Sequence, residues 1–202
     1  MLLLLILIPL LAGGVALAMT YDRWRPLLPV PVAAIHLGLT LYVLAYGSTP
    51  QFYGWIVLDP LGKLVLLILS VLYALCAVYA VGYLRYRAEL SNRVFVACML
   101  CFIGVATLVV TAHHLGLMWI AIEATTLSTA PMIYFKRTAR SIEATWKYLL
   151  VGSVGIAIAL LGSFFLAYAS LGPGHEPSLL FEDLLRRAVG IAGRSQDGTQ
   201  RR

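Results

Sequence analysis

Long, unbroken runs of apolar residues, separated by short polar loops, restrict the possible folds of this chain more than any other feature. A helix that crosses the hydrocarbon core of a bilayer needs about 20 consecutive apolar residues. Of the 202 residues, 61% are hydrophobic and 12% are charged; soluble domains carry about twice that charged fraction. The pattern predicts an all-α integral membrane protein and excludes a soluble enzyme, a disordered chain and a disulfide-stabilised secreted domain. It also disfavours a membrane β-barrel, whose strands would alternate apolar and polar residues.

The apolar runs predict a bundle of about six transmembrane helices over residues 1–171. The predicted spans are, in chain order, 1–19, 27–46, 55–84, 94–112, 115–135 and 144–171. The third and sixth spans are longer than a bilayer requires, so we expect them to tilt or to project from it. Residues 172–202 are predicted to form a tail that contains a short amphipathic surface helix at 178–192 and a disordered polar end.

Basic residues alternate between successive loops and predict the orientation of the bundle. The loops after the second and fourth spans hold no Lys or Arg, whereas the other three loops hold the following: Arg23, Arg25, Arg85, Arg87, Arg93, Lys136, Arg137 and Arg140. Because Lys and Arg accumulate on the cytoplasmic side, the N-terminus and the tail are predicted to lie outside. We therefore assign the net charge of +6 to topology rather than to nucleic-acid binding. The arginines of the tail do not follow this pattern.

The first span predicts the cellular location. It lacks the basic residues that open a signal peptide, although Val15 to Ala18 would form a tolerable cleavage site. Removal of a signal peptide therefore remains an alternative to a retained first helix. No mitochondrial transit peptide is recognisable, so the predicted location is the plasma (inner) membrane of a prokaryote.

Glu123 is the outstanding functional candidate because it lies near the middle of the fifth span. A carboxylate at that depth costs about 2.5 to 3.5 kcal/mol or more. It is tolerated when it is protonated, paired with a cation or facing water. Thr126 lies one turn away on the same face, and Pro131 frees the carbonyl group of Leu127, which predicts a wet polar seam. We expect Glu123 to relay protons; the alternative is a protonated glutamic acid that links two helices.

Lys147 is the second candidate and lies near the start of the sixth span. A buried lysine can gain or lose a proton near neutrality, which suits a proton relay. Two structural alternatives remain open. Lys147 could extend to the cytoplasmic surface, or it could pair with Glu143, four residues earlier on the same helix.

Three histidines and an aspartate complete the polar candidates. His36 lies inside the second span and is either a proton relay or a hydrogen-bonded link between helices. His113 and His114 lie on the predicted outer turn after the fourth span, where they either line a proton exit or simply face the membrane interface. Asp59 precedes Pro60 and an apolar run, an arrangement typical of a helix N-cap.

The sequence contains no motif for a redox centre, a metal site or a nucleotide site. Cys98 and Cys101 form a C-x-x-C, but they lie in an apolar span, and the remaining cysteine, Cys76, lies in another. We expect all three to pack as small apolar side chains. There is no P-loop, no dinucleotide-binding glycine motif in a strand–helix context and no G-x-S-x-G.

Small side chains recur every four residues in the sixth span, at Gly155, Ala159 and Ser163. Such a stripe lets another helix approach closely in a membrane. It predicts helix packing, either within the chain or against a partner subunit.

Two segments resemble the antiporter-like, proton-conducting membrane subunits shared by complex I, Mrp-type cation/proton antiporters and membrane-bound hydrogenases. They are LGLMWIAIEATTLSTAP at 115–131 and IEATWKYLLVGSVGIAIALLG at 142–162. The residues around Glu123 and Lys147 are most similar to the membrane subunit of hydrogenase-4 and formate hydrogenlyase. Residues 59–61 and 83–84 fit the same resemblance, which covers about residues 50–171.

The resemblance implies roles for two residues. Members of this family carry a Glu on the fifth helix and lysines on the following helices, which form a charged axis at mid-membrane; Glu123 and Lys147 are the matching positions. It also implies that this chain holds no cofactor, and that iron–sulfur, nickel–iron or flavin centres lie only in partner subunits. Family members are usually longer and contain a second, inverted helix bundle, so a complete proton path is not expected within these residues alone.

Together these observations predict a membrane subunit of a redox-driven, proton-translocating complex of the hydrogenase or NADH:quinone oxidoreductase type. It would contact other membrane and peripheral subunits and the lipid bilayer. Glu123 would take and release protons, with Lys147 as a nearby cation. Two alternatives remain open: a subunit of an Mrp-type cation/proton antiporter, which has no redox drive, and a truncated, non-conducting structural or assembly subunit.

Overall fold

A computed structural model of the chain describes residues 1–19, 24–47, 49–51, 54–87, 89–169, 179–181 and 183–185. Within them, the chain forms a bundle of six α-helices: α1 (Leu2–Ala18), α2 (Pro29–Tyr46), α3 (Pro60–Tyr86), α4 (Arg93–Thr111), α5 (Leu115–Ile133) and α6 (Ala139–Ala169). Short 3₁₀ turns precede α2 and follow α5. Extended backbone in these ranges is limited to isolated bridges. The predicted all-α class is confirmed.

The helices differ in how well they suit a membrane. By length and composition, α2 with its preceding turn, α3, α4 and α6 can each cross a bilayer. The apolar helix α1 is shorter, with 17 residues. The 19 residues of α5 include Glu123 and several hydroxyl side chains, which lower its hydropathy. A full crossing by α1 and α5 therefore stays a prediction, while the membrane character of the bundle is clear.

The helix α3 begins at Pro60 rather than at residue 55, where the apolar run begins. Asp59 explains the difference, because its Oδ1 accepts a hydrogen bond of 2.7 Å from the backbone N–H of Gly62. This bond satisfies a backbone donor of the first helical turn that has no partner within the helix. The predicted role of Asp59 as an N-cap is confirmed.

The helix α6 begins at Ala139, before the predicted start at residue 144. The backbone N–H of Thr138 donates to Ser141 Oγ at 2.9 Å, and the backbone N–H of Ser141 donates to Thr138 Oγ1 at 3.1 Å. This reciprocal arrangement resembles a capping box and fixes the first turn. The polar residues Thr138 and Ser141 thus start the helix α6 before the apolar run begins.

Glycines allow α1 and α4 to pack closely. A Cβ atom added at Gly104 would lie 2.9 Å from Leu10 Cγ and 3.0 Å from the carbonyl oxygen of Ile6. A Cβ atom at Gly13 would lie 2.8 Å from Cys101 Sγ. Cys101 therefore packs against the neighbouring helix, as predicted. In the described ranges, no three His, Cys, Asp or Glu side chains gather in a way that could hold a metal ion.

We expect Gly104→Ala to destabilise the bundle. The added methyl group meets a backbone oxygen on α1 that cannot rotate away, so the helices must separate. Overpacking of this kind costs about 1 to 3 kcal/mol, which corresponds to about 2 to 4 °C in melting temperature per kcal/mol. Thermal unfolding of the detergent-solubilised protein measures the change. Gly38→Ala is the matched control on α2, because no atom of the described ranges lies within 4 Å of its added methyl group. Equal losses in both variants would contradict the close approach.

The loops at one end of the bundle pack together. The backbone N–H of His113, in the turn between α4 and α5, donates to Trp55 O at 2.8 Å. The backbone N–H of Phe181, in the tail, donates to His113 O at 3.0 Å. The described part of the tail thus lies at the same end as these loops, which agrees with an even number of spans. Most of the predicted helix at 178–192 falls outside the described residues.

Arg25 is buried at the opposite end of the bundle. Its side chain is 2% exposed, Nη1 donates to Asn92 Oδ1 at 2.8 Å, and Nη2 donates to the backbone oxygen of Met19. Asn92 directly precedes α4, so the guanidinium group links the ends of α1, α2 and α4. Arg25 is thus at the predicted cytoplasmic end, but it is a packing residue there rather than a solvated loop charge. Arg23 lies outside the described residues.

Candidate functional site

A polar seam runs between α5 and α6. Near one end, the indole Nε1 of Trp119 donates to Ile156 O at 3.0 Å. Near the other, Thr129 Oγ1 and the hydroxyl of Tyr148 share a hydrogen bond of 2.6 Å. Because the residue numbers rise on α5 as they fall on α6, the two helices are antiparallel along the seam.

Glu123 lies on the face of α5 that forms this seam. Trp119, Glu123 and Thr126 are spaced by four and three residues, so they share one face of the helix. Thr126 also packs against α6, since its Cγ2 lies 3.1 Å from the position of a Cβ atom at Gly152. Glu123 is half-buried, and within the described ranges its carboxylate has no hydrogen-bond or ion-pair partner. A carboxylate in this position can exchange a proton without first breaking an ion pair.

Hydroxyl groups continue the polar seam along α5. Thr126 Oγ1 donates to Ile122 O at 3.3 Å, and Thr129 Oγ1 donates to Thr126 O at 3.0 Å. Thr126 is buried and Thr129 is partly buried. Pro131 follows within the same helix and has no N–H to donate, which leaves one carbonyl group of α5 without a helical partner. Thr126, on which the prediction of a polar seam was based, therefore lies at the contact between α5 and α6.

Lys147 does not meet Glu123 within the described chain. The residues of α6 that face α5 are partly buried and recur every three or four positions: Thr145, Leu149, Gly152, Ile156 and Leu160. Lys147 falls about half a turn away from that stripe. Its side chain is 72% exposed and forms an ion pair with Glu143. Of the arrangements considered for Lys147, the structure shows the helix-surface pair.

The small-residue stripe of α6 remains largely uncovered. Gly155 and Ala159 are exposed, and among the described residues nothing lies within 4 Å of a Cβ atom added at Gly155. Ser163 Oγ donates to Ala159 O at 3.0 Å, a bond within its own helix. The close contact with α5 is made instead by Gly152, which the sequence analysis missed. Gly152 and Ile156 are one turn apart and therefore share a face of α6. This spacing identifies a contact with α5 only when the face of α6 that meets α5 is known.

His36 lies in a second polar cluster, between α2, α3 and α4. Its Nδ1 lies 3.0 Å from Ser70 Oγ, and its Nε2 lies 3.0 Å from Thr107 Oγ1. Ser70 Oγ also lies 2.9 Å from Thr40 Oγ1. All four side chains are buried. The three hydroxyl partners of the cluster were not predicted, although each is a hydroxyl residue surrounded by apolar residues in its span.

His113 and His114 lie at the end of the bundle where the tail joins. His114 Nδ1 accepts a hydrogen bond of 3.3 Å from the backbone N–H of Leu117 and caps α5, and its ring stacks on Trp55 with 4.3 Å between centroids. Both histidines, together with Asp59, line a mainly apolar cavity of about 380 Å³. A part in a proton exit stays a prediction for both.

Comparisons with known proteins place these elements in context. Residues 112–196, which include Glu123 and Lys147, match the family described as NADH:quinone oxidoreductase/Mrp antiporter, transmembrane. A hydrogenase-4 component F homolog from Methylacidiphilum infernorum is 50% identical over 66 residues, which are 33% of this chain and 14% of that protein. NADH-quinone oxidoreductase subunit N from Myxococcus xanthus is 27% identical over 199 residues, which are 91% of this chain and 38% of that protein.

A third relative gives a similar picture. NADH-quinone oxidoreductase subunit N from Neisseria gonorrhoeae is 25% identical over 141 residues, which cover 69% of this chain and 29% of that protein. The chain thus spans less than two fifths of the length of each of these three relatives, at 14%, 38% and 29%. The similarity to the two subunit N proteins extends over most of this chain, and the similarity to the component F homolog extends over a third of it. In each case it covers a minor part of the relative.

Proposed function

We propose that this chain belongs to the antiporter-like membrane subunits of the complex I and hydrogenase family, and that it is a subunit of a redox-driven, proton-translocating complex. The single observation that carries the proposal is Glu123, a half-buried carboxylate midway along α5 on the seam with α6. Electrons would pass through iron–sulfur, nickel–iron or flavin centres of partner subunits. This chain would contribute part of the proton path in the plasma (inner) membrane of a prokaryote.

Glu123 is proposed to hold and release the proton. A group with this task must be able to change its charge inside the membrane, which a carboxylate without a fixed counter-ion can do. The bond between Thr129 and Tyr148 lies six residues further along α5, or about 9 Å along the helix axis. A hydroxyl group can accept one proton while donating another. The hydroxyl groups of Thr129 and Tyr148 could therefore carry a proton between Glu123 and the C-terminal end of α5. Water would be needed to connect them to Glu123.

Lys147 is proposed to act toward a neighbouring subunit rather than directly on Glu123. Glu143 holds its amine on the face of α6 turned away from α5. No residue of α6 is buried, so this face can contact another protein within the membrane. A lysine there would present a positive charge to a partner helix.

The partner subunits are proposed to pack against the uncovered stripe of Gly155 and Ala159. Small side chains let helix backbones approach closely. Because lipid tails are as apolar as the helices, this close packing drives the association of helices in a membrane. Within the described chain nothing occupies the space next to Gly155. Other membrane subunits of the same complex are the expected occupants.

Association with redox subunits tests the proposed function. We expect the chain to migrate on blue-native gels of mildly solubilised membranes together with hydrogenase-like or complex-I-like subunits, identified by mass spectrometry of every band that contains it. Gly155→Leu should remove it from that band, since the larger side chain fills the stripe. Gly82→Leu, at an exposed glycine of α3 with nothing within 4 Å of an added Cβ, is the control. Migration as a separate chain in unmodified membranes would contradict the proposal.

The description of the matching family also names Mrp antiporters, which supports a second candidate. A cation/proton antiporter subunit would use Glu123 and Lys147 without redox drive. Co-migration with other antiporter subunits, and cation-driven rather than redox-driven proton movement, would favour it. A structural or assembly subunit would instead tolerate the loss of the Glu123 carboxylate without any change in proton movement.

A further inference from the structure

We propose that His36, together with the hydroxyl groups of Thr40, Ser70 and Thr107, forms a second buried proton-binding site that lies between α2, α3 and α4. It is separate from Glu123, which lies on the seam between α5 and α6. A part in transport rests on the function proposed above, whereas proton binding by the site itself does not. The four residues are referred to below as the His36 cluster.

The His36 cluster joins three helices through a continuous chain of side-chain contacts. His36 contributes both ring nitrogens, to Ser70 Oγ and to Thr107 Oγ1, each at 3.0 Å. Thr40 Oγ1 reaches Ser70 Oγ at 2.9 Å. None of the four side chains is more than 2% exposed. Both imidazole nitrogens are therefore engaged with groups that can either donate or accept a proton.

Every hydroxyl group of the cluster also contacts a backbone carbonyl oxygen of its own helix. Thr40 Oγ1 lies 2.9 Å from His36 O, Ser70 Oγ 2.8 Å from Leu66 O, and Thr107 Oγ1 2.8 Å from Ile103 O. Carbonyl oxygens only accept. Because each hydroxyl group has one proton, it can donate either to its carbonyl oxygen or to a neighbour within the cluster, but not to both.

Counting protons shows what the cluster can hold. It contains three contacts among its side chains and three with carbonyl oxygens, and each contact needs one proton to be a hydrogen bond. Three hydroxyl groups and a neutral imidazole supply four protons, whereas an imidazolium supplies five. The neutral cluster leaves two contacts without a proton and the charged cluster leaves one. The site therefore has a place for one additional proton.

Protonation would require only rotation of hydroxyl groups. In the neutral cluster one hydroxyl group, on Ser70 or on Thr107, donates to the unprotonated ring nitrogen. When that nitrogen accepts a proton, the same hydroxyl group turns to its carbonyl oxygen and accepts the new N–H. The reverse step releases the proton, so imidazole and imidazolium interconvert without a covalent change elsewhere. A proton relay needs such an exchange, whereas a hydrogen bond that only links two helices does not need it.

The surroundings oppose a permanent charge. The helix α1 has no titratable side chain between Leu2 and Ala18. On the other three helices the charged residues lie at or near the ends: Asp59, Lys63, Arg85 and Arg93. The remaining titratable side chains of these helices are tyrosines and cysteines, among them buried Tyr73, one turn from Ser70. Desolvation of the imidazolium thus offsets its extra hydrogen bond, which favours reversible rather than permanent protonation.

A further hydroxyl residue lies beyond the cluster, toward the end of the bundle that is predicted to face outside. Thr111 is buried one turn beyond Thr107, and its Oγ1 donates to Thr107 O at 2.9 Å. Thr111 is the last residue of α4, and His113 follows it in the turn. A buried hydroxyl group therefore lies between the His36 cluster and that end of the bundle, about 6 Å from Thr107 along α4.

Nitrogen NMR of the full chain in lipid nanodiscs tests the inference. The protein is labelled with ¹⁵N-histidine, and the His36 signals are those lost in His36→Gln. The pH is lowered in steps from about 8 to the lowest value at which the bundle stays folded, and we expect His36 to change reversibly from one protonated ring nitrogen to two within that range. Thr107→Val should lower the proton-bound fraction at a fixed acidic pH about three- to tenfold, because the imidazolium loses one acceptor. Thr125→Val, which removes a hydroxyl group bonded within α5, should leave that fraction unchanged.

Two results would overturn the inference. One is a single His36 tautomer that persists over the whole pH range in which the bundle is folded. The other is an unchanged proton-bound fraction in Thr107→Val, which is nearly isosteric and is expected to fold.

The two proposals fail separately. If His36 titrates as expected and Glu123→Gln leaves proton movement intact, the His36 cluster stands and the proposed function fails. If His36 does not titrate and Glu123→Gln stops proton movement, the proposed function stands and the inference fails.

Discussion

Glu123→Gln is expected to stop most of the proton movement by the complex that contains this chain while leaving the helix bundle folded. Glutamine has nearly the same shape and keeps the polar contacts of the seam, but it cannot release a proton. Loss of a positioned proton-transfer group lowers the rate by about 100-fold or more. Proton uptake into proteoliposomes that contain the purified complex measures the loss, and the electron-transfer rate of the partner subunits shows whether the complex is intact.

Glu143→Gln is the matched control for this experiment. Glu143 lies on the exposed face of α6 and pairs only with Lys147 among the described residues. Exposed pairs of this kind contribute only about 0.3 to 0.5 kcal/mol to stability, so the bundle should stay folded and proton uptake should stay close to that of the unmodified complex. Full proton uptake by Glu123→Gln, or equal losses in the two variants, would contradict a specific role for the carboxylate on α5.

The sequence predicted the helices well because a membrane leaves few alternatives. A chain in hydrocarbon must satisfy its backbone hydrogen bonds internally, so long apolar runs become helices. The predicted cap at Asp59 followed from the same local chemistry. The helix α6 begins before the predicted span, because the exchange of hydrogen bonds between Thr138 and Ser141 lies before the apolar run begins. Local polar signals therefore locate helix ends better than hydropathy does.

The candidate site was only partly predictable. Glu123 is conspicuous in any sequence because a carboxylate in the middle of an apolar helix is costly. The position of Lys147 depends on which face of α6 meets α5, and that face is set by tertiary contacts at Gly152 and Ile156. The partners of His36 come from two other helices. Spacing within one helix cannot reveal either arrangement.

The burial of Arg25 was likewise invisible in the sequence, and it leads to the largest expected effect on stability. Asn92→Leu should destabilise the bundle by about 2 to 3 kcal/mol, because hydrogen bonds to charged groups contribute about 1.5 to 3 kcal/mol. Arg25 is 2% exposed and cannot readily replace Asn92 Oδ1 with water. The corresponding fall in melting temperature is about 2 to 4 °C per kcal/mol, measured by thermal unfolding in detergent.

Asn92→Asp separates the loss of the hydrogen bond from other effects of changing this residue. Aspartate keeps an oxygen that accepts from Arg25 Nη1, and opposite charges compensate the desolvation of both groups in part, so this variant should be about as stable as the unmodified protein. The side chain of Asn92 makes no capping hydrogen bond to α4, so neither variant removes a helix cap. If the Leu and Asp variants melt at the same temperature, the bond between Arg25 and Asn92 does not hold the ends of α1, α2 and α4 together, and the burial of Arg25 must depend on its other contacts.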